Sequence, residues 1–140
     1  MTTYKCSEDR LFSFVRQLLK NVKKEGVIIL QGDLAAGKTT LVRAVVKAMG
    51  LADIVTSPTF SLQQCYGTSV YHYDLYNHGL DHFLSLGMLE ELDKYGLHFV
   101  EWGDDSLVEL LNSTGIPTTV IKIKKTSDDE REYEVEYAHS

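Results

Sequence analysis

The amino-acid sequence predicts an α/β fold: one three-layer domain over residues 1–140, built on a mixed sheet with a parallel core, added antiparallel strands and a C-terminal hairpin. Three observations predict it. Residues 27–30, Val-Ile-Ile-Leu, form an apolar run that leads through Gln31 into Gly32-Asp33-Leu34-Ala35-Ala36-Gly37-Lys38-Thr39, the spacing G-x-x-x-x-G-K-[ST]. Behind it, Leu41, Val42, Val45, Val46 and Met49 recur at helical spacing until Gly50. Residues 96–102 then give a second apolar run that ends in a carboxylate, Glu101, with strand-like and helical stretches interleaved around it. A strand, a glycine-rich turn and a helix in succession are the context in which this spacing binds phosphate. The expected architecture is therefore the P-loop NTPase fold, its sheet covered on both faces.

The remaining elements follow in chain order. Ser7 can cap a helix, with Glu8 and Asp9 in its first turn, an apolar face of Leu11, Phe14, Val15, Leu18, Leu19 and Val22, and Gly26 as its end. Beyond Gly50, residues 54–62 are extended, because Pro58 disfavours helix at its own position and at Ser57. Residues 61–65 and 70–75 read as a hairpin turning at Gly67, and residues 80–95 as short helices broken near Gly87. A short helix over 107–111 precedes a terminal hairpin of residues 118–125 and 131–137. In that hairpin Tyr133, Val135 and Tyr137 face one way and Glu132, Glu134 and Glu136 the other.

Composition narrows the function. With 44% hydrophobic and 24% charged residues, and no apolar stretch long enough for a bilayer, the chain reads as a soluble protein. Its N-terminus carries acids where a signal peptide would carry an apolar core, so a cytoplasmic setting is expected. Cys6 and Cys65 lie far apart and suggest neither zinc nor a disulfide framework; His78 and His82, at i, i+4, have no evident third ligand. The net charge of −6 is uneven. Residues 1–50 carry nine Lys and Arg against four Asp and Glu, residues 51–117 one against ten, and residues 118–140 four against six. With a pI near 5.3, the chain lacks the basic stripe that gripping nucleic acid alone would need.

The chemistry sits in a few residues. Gly32 and Gly37 allow backbone conformations that a Cβ would obstruct, so that amides across Asp33, Leu34, Ala35 and Ala36 can converge on phosphate oxygens. Lys38 adds a charge beside the β- and γ-phosphates, and the Thr39 hydroxyl can ligate Mg²⁺. The following helix points its positive end at the same anion. Glu101 has the form of a Walker B carboxylate, able to orient or deprotonate water or to bind the metal through one. Asp74 lies in an aromatic run, Tyr71-His72-Tyr73-Asp74-Leu75-Tyr76, where a charge needs exposure or a cationic partner such as Mg²⁺. Trp102 either packs in the core or stacks near the nucleotide. Ser57 and Thr59 either cap and turn or report the γ-phosphate as a switch does. No arginine lies between residues 44 and 130, so that stretch supplies no arginine finger and hydrolysis by the chain alone should be weak.

Four blocks in this order, residues 32–40, Thr56-Ser57-Pro58-Thr59-Phe60, residues 71–76 and Val100-Glu101-Trp102, resemble the TsaE (YjeE) family over nearly the whole chain. The resemblance implies a bacterial ATPase that acts with TsaD and TsaB in making threonylcarbamoyladenosine at position 37 of tRNA, meeting tRNA only through that complex and with no membrane attachment. It implies ATP, with ADP as product, and Mg²⁺ as ligands. Lys38 would bind phosphate, Thr39 would hold the metal, and Asp74 would lie by the metal or the γ-phosphate. Glu101 with Trp102 would be the Walker B block, with Thr40 and residues 57–60 completing the nucleotide side. Two positions depart from the family pattern, Ala35 in place of glycine and Asn77 in place of arginine, and both should weaken nucleotide affinity or partner coupling. The other readings of the motif are a small-molecule kinase, which the arginine-free stretch disfavours, and a nucleotide-gated binding module with negligible hydrolysis.

Overall fold

The apolar runs of the sequence become the centre of one seven-stranded sheet. The structure, a computed structural model, describes residues 2–7, 10–22, 25–32, 37–51, 63–67, 69–75, 80–128 and 130–137. In chain order the elements are β1 (Thr2–Ser7), α1 (Leu11–Val22), β2 (Gly26–Gln31), α2 (Lys38–Ala48), β3 (Gln63–Tyr66), β4 (Val70–Asp74), α3 (Leu80–Ser85), α4 (Met88–Leu92), β5 (Leu97–Glu101), α5 (Asp105–Ser113), β6 (Thr118–Lys125) and β7 (Glu130–Glu136). The strand order is β1-β7-β6-β2-β5-β4-β3. β6, β2, β5 and β4 run parallel, while β3, β7 and β1 each join antiparallel, giving the expected mixed sheet.

Both faces of the parallel core are covered. Ile28 and Leu30 of β2 and Phe99 of β5 pack with α1 and α2, through Val15, Leu18, Leu41 and Val45. On the other face Val27, Ile29 and Val100 meet Phe83, Leu92, Leu107 and Leu111 from α3, α4 and α5. Successive β2 side chains thus enter opposite cores, which is why the strand reads as an unbroken apolar run instead of an alternating one. Each such side chain contributes roughly 1.5–3 kcal/mol of burial. The β6–β7 hairpin keeps alternation, with Tyr133 and Val135 buried on the α1–α2 side.

Three sequence expectations are corrected. Ser7 is not a helix cap: it is the last residue of β1, paired with Glu130, and α1 begins at Leu11. β1 exists because β7 offers it an edge, a long-range partner that no local pattern reveals. Gly26 does not end α1 but opens β2, at φ 108, where a Cβ would lie 2.8 Å from the Pro117 carbonyl oxygen. The helix expected over 107–111 extends to Asp105–Ser113, since the Asp104 side chain caps it by accepting from the Leu107 N–H at 3.0 Å. The expected extended segment of residues 54–62 lies outside the described residues, and β3 starts at Gln63, just after it. No helix among the described residues is long and apolar enough to cross a membrane.

Candidate functional site

Parallel strands deliver their C-terminal ends to one edge of the sheet, and there the sequence-predicted residues meet. β2 ends in Gln31, Gly32 follows, and Gly37 at φ 99 leads into α2. Beside β2, β5 ends in Glu101; beside β5, β4 ends in Asp74, paired in register with Glu101. In-register residues of parallel strands point to the same face. Both carboxylates therefore lie on the side occupied by α2, whose first turn carries Lys38, Thr39 and Thr40.

Contacts tie these groups together. The Thr39 hydroxyl donates to Glu101 Oε2 at 3.0 Å. Lys38 is almost fully buried, donates from Nζ to the Gly32 carbonyl at 2.8 Å, and places its ammonium 3.9 Å from the centre of the Trp102 ring. A cation over an indole face is favourable by about 1 kcal/mol or more when desolvated. Trp102 thus packs on the α3–α5 core, one of the two readings the sequence left open, and it also reaches the lysine of the glycine-rich motif, a contact not foreseen. It sits at φ 66, the one non-glycine residue with positive φ among the described residues, at a cost of roughly 1–3 kcal/mol. Its N–H donates to the Leu30 carbonyl at 3.1 Å, and Gln31 Nε2 donates to the Gly103 carbonyl at 3.0 Å, so the turn is fastened to β2 on both sides.

One member of the cluster was not foreseen. His72 is fully buried, and its Nε2 is hydrogen-bonded to Glu101 Oε2, the oxygen that also accepts from Thr39. A carboxylate oxygen with two donors is fixed in orientation. The second ring nitrogen, Nδ1, lies 3.2 Å from the Tyr66 hydroxyl, itself 3.0 Å from Gln64 Oε1. A line of side chains therefore runs from edge strand β3 to the first turn of α2. Only part of the signal lies in the sequence: alternation puts His72 and Asp74 on one face of β4, while the neighbour they reach, the strand that carries Glu101, is set by the sheet order. Arg131 of β7 was also unexpected here, and its Nε lies 3.7 Å from where a Gly37 Cβ would stand.

Gly32, Gly37, Lys38, Thr39, Thr40, Asp74, Glu101 and Trp102 are thus placed along one edge. Asp33, Leu34, Ala35 and Ala36 lie outside the described residues, as do Ser57, Thr59, Asn77 and His78. His82 is exposed, and no cluster of three metal-binding side chains of the His, Cys, Asp or Glu type occurs among the described residues. The oxygen donors Thr39, Glu101 and Asp74 are of the hard type that suits Mg²⁺. On the opposite face of the sheet a cavity of about 400 Å³ opens beside Gly32, walled by Gln31, Lys122, Lys124, Glu132 and Glu134.

Fold and site define a class: an α/β protein that gathers a lysine, a hydroxyl and two carboxylates at the C-terminal edge of its parallel strands, where open sheets of this kind take ligands. Comparison with known proteins narrows the class. The family model described as "Threonylcarbamoyl adenosine biosynthesis protein TsaE" matches residues 6–133, and the chain belongs to the TsaE family. It is similar to the tRNA threonylcarbamoyladenosine biosynthesis protein TsaE of Treponema pallidum (strain Nichols), 33% identical over 117 residues that cover 81% of this chain and 84% of that protein. The protein of the same name from Bacillus subtilis (strain 168) is 37% identical over 113 residues, 79% of this chain and 68% of that one. A crystal structure of YdiB from Bacillus subtilis aligns with a TM-score of 0.70 and 25% identity, covering 99% of this chain and 86% of that one.

Proposed function

We propose that this chain binds ATP with Mg²⁺, hydrolyses it slowly to ADP, and serves the cytoplasmic machinery that makes threonylcarbamoyladenosine at position 37 of tRNA, acting with TsaD and TsaB. The observation that carries the chemical part is the Thr39 to Glu101 hydrogen bond, which joins the glycine-rich motif to the carboxylate strand 62 residues away. The names of the similar proteins support the pathway.

In this reading the backbone of residues 32–37 cradles phosphate, and Lys38 supplies the charge next to it. The Thr39 hydroxyl directs its O–H at Glu101, which leaves the lone pairs of its own oxygen for a cation. Thr39, Glu101 and Asp74 would hold Mg²⁺, which when bound offsets the negative charge of the terminal phosphates. Glu101, held at Oε2 by Thr39 and His72, keeps Oε1 as the oxygen that orients or deprotonates water. The carboxylate side of the site draws no arginine from residues 44–130, so transition-state charge is poorly matched until partners assemble, and turnover should rise with TsaD and TsaB. An acidic chain of pI near 5.3 meets tRNA through those partners.

Calorimetry with MgADP tests the core of the reading. The parent should bind, and Lys38→Ala should weaken binding by at least tenfold; an absence of heat with the parent under any magnesium concentration would overturn it. Hydrolysis measured with and without TsaB and TsaD tests the partner assignment, and equal rates would remove it.

A further inference from the structure

On the nucleotide-binding reading, on which everything below rests, Glu101 directs water, and its aim depends on the side chains behind it. Register places those groups: Gln64 of β3 is paired with His72 of β4, and Asp74 of β4 with Glu101 of β5. Strand alternation puts Tyr66 on the face of Gln64, and that face carries α2. Gln64, Tyr66, His72 and Glu101 therefore lie on one side of three adjacent strands.

An ionised carboxylate only accepts, so Nε2, the ring nitrogen on Glu101 Oε2, carries a proton. A neutral imidazole has one N–H, so Nδ1 is then an acceptor in need of a donor. The Tyr66 hydroxyl lies 3.2 Å from it. The other tautomer would set a bare lone pair of Nε2 against the carboxylate, an unfavourable contact where Tyr66 is 1% exposed and His72 0%. The phenol oxygen also lies 3.0 Å from the Gln64 side-chain amide. Turned about its last bond, that amide offers an N–H to the phenol oxygen, which frees the single hydroxyl proton for His72. We propose that Tyr66 is a positioning residue for Glu101: through its hydroxyl it keeps the His72 proton on Nε2, and so makes edge strand β3 part of the hydrolytic machinery.

The other face of the sheet supplies a matched control. There the Tyr73 hydroxyl meets Nδ1 of buried His98 at 2.8 Å, but the Nε2 of that ring faces the Lys94 carbonyl and no carboxylate. Long-range proton–nitrogen spectra of isotope-labelled protein read the tautomer of each histidine, the His72 signals being those lost in His72→Phe. In the parent Nε2 of His72 should be protonated, and in Tyr66→Phe that proton should be shared with Nδ1. Single-turnover ATP hydrolysis should fall about three- to tenfold in Tyr66→Phe, the worth of one ordinary hydrogen bond, with MgADP affinity within about twofold. That binding also shows the variant to be folded. Tyr73→Phe should leave turnover per folded molecule unchanged. Tyr66→Phe added to His72→Phe should lower hydrolysis no further than His72→Phe alone, because the effect passes through the ring. The assignment is overturned by a parent ring protonated at Nδ1 alone, by a tautomer or a hydrolysis rate unmoved in Tyr66→Phe, or by a matching loss of MgADP affinity. Equal losses in Tyr66→Phe and Tyr73→Phe, or a double variant in which the two losses multiply, overturn it as well. The tautomer is read without nucleotide, so a parent that has it and yet neither binds MgADP nor hydrolyses ATP marks failure of the nucleotide reading, and the role of Tyr66 falls with it.

Discussion

Two fully buried histidines on neighbouring strands, His72 of β4 and His98 of β5, do different work because of what their Nε2 atoms meet. His72 faces α2 and holds the Glu101 carboxylate at the open edge of the sheet. His98 faces the other core, where its Nε2 donates to the Lys94 carbonyl at 2.7 Å and its Nδ1 accepts from the Tyr73 hydroxyl at 2.8 Å. Tyr73 in turn accepts from Gln63 Nε2 at 3.1 Å; that amide lies 3.3 Å from Glu91, which pairs with Lys94. The second circuit closes on itself, and Tyr71 stacks on its imidazole with centroids 4.5 Å apart. Burial holds His98 below the usual histidine range and pushes the Tyr73 hydroxyl well above its own, so both stay neutral. Equal burial therefore does not imply equal role. The first histidine orients the Glu101 carboxylate at the open edge of the sheet; the second fixes the β4–β5 pair and the turn before β5.

The contrast can be broken or sharpened by substitution. The largest effect is expected at the group His72 orients: Glu101→Ala should lower single-turnover ATP hydrolysis by about 10²- to 10³-fold, and normal hydrolysis would remove its catalytic role. His72→Phe should lower kcat by roughly 10- to 100-fold while the affinity for MgADP stays within about twofold, since the ring orients Glu101 without touching phosphate. A matching fall in affinity would instead make His72 a determinant of the phosphate pocket. The same replacement at the other site, His98→Phe, should leave turnover per folded molecule unchanged and cost about 1–3 kcal/mol in urea unfolding, because the Lys94 carbonyl and the Tyr73 hydroxyl both lose this partner. The smallest effect concerns acid. A histidine whose pKa is depressed in the folded state takes up its proton more readily when unfolded, so stability declines as pH falls below the ordinary histidine value of about 6.5. Urea midpoints at pH 7.5 and 5.5 should show this decline in the parent and a smaller one in His98→Gln; parallel declines would place the sensitivity elsewhere.

How much of this was legible depends on whether the signal was local. The glycine spacing, Lys38, Thr39 and the β2 run lie within fourteen consecutive residues, and the structure sets Lys38 and Thr39 on the first turn of α2 as read. Glu101 was legible as a carboxylate closing an apolar run, though its contact with Thr39 depends on which strand β5 pairs with. His72 was hidden because alternation in an aromatic strand says which residues share a face and not which neighbour they reach. β1 and Arg131 were hidden for the same reason, since each acquires its meaning from a partner at the far end of the chain. The helix limits missed at Asp105 and Leu11 reflect capping by Asp104 and strand pairing by Ser7, side-chain and tertiary choices that outweigh propensity.

The pairing of β1 with β7 has a consequence for biosynthesis. Residues 2–7 are synthesised well over a hundred residues before the strand they bond to, residues 130–136. Until residues 130–136 have emerged, β1 has no ladder to join and the β6–β7 flank of the sheet stays incomplete. A nascent chain stalled before residue 130 would hold β2, α2 and β5 with that flank still missing.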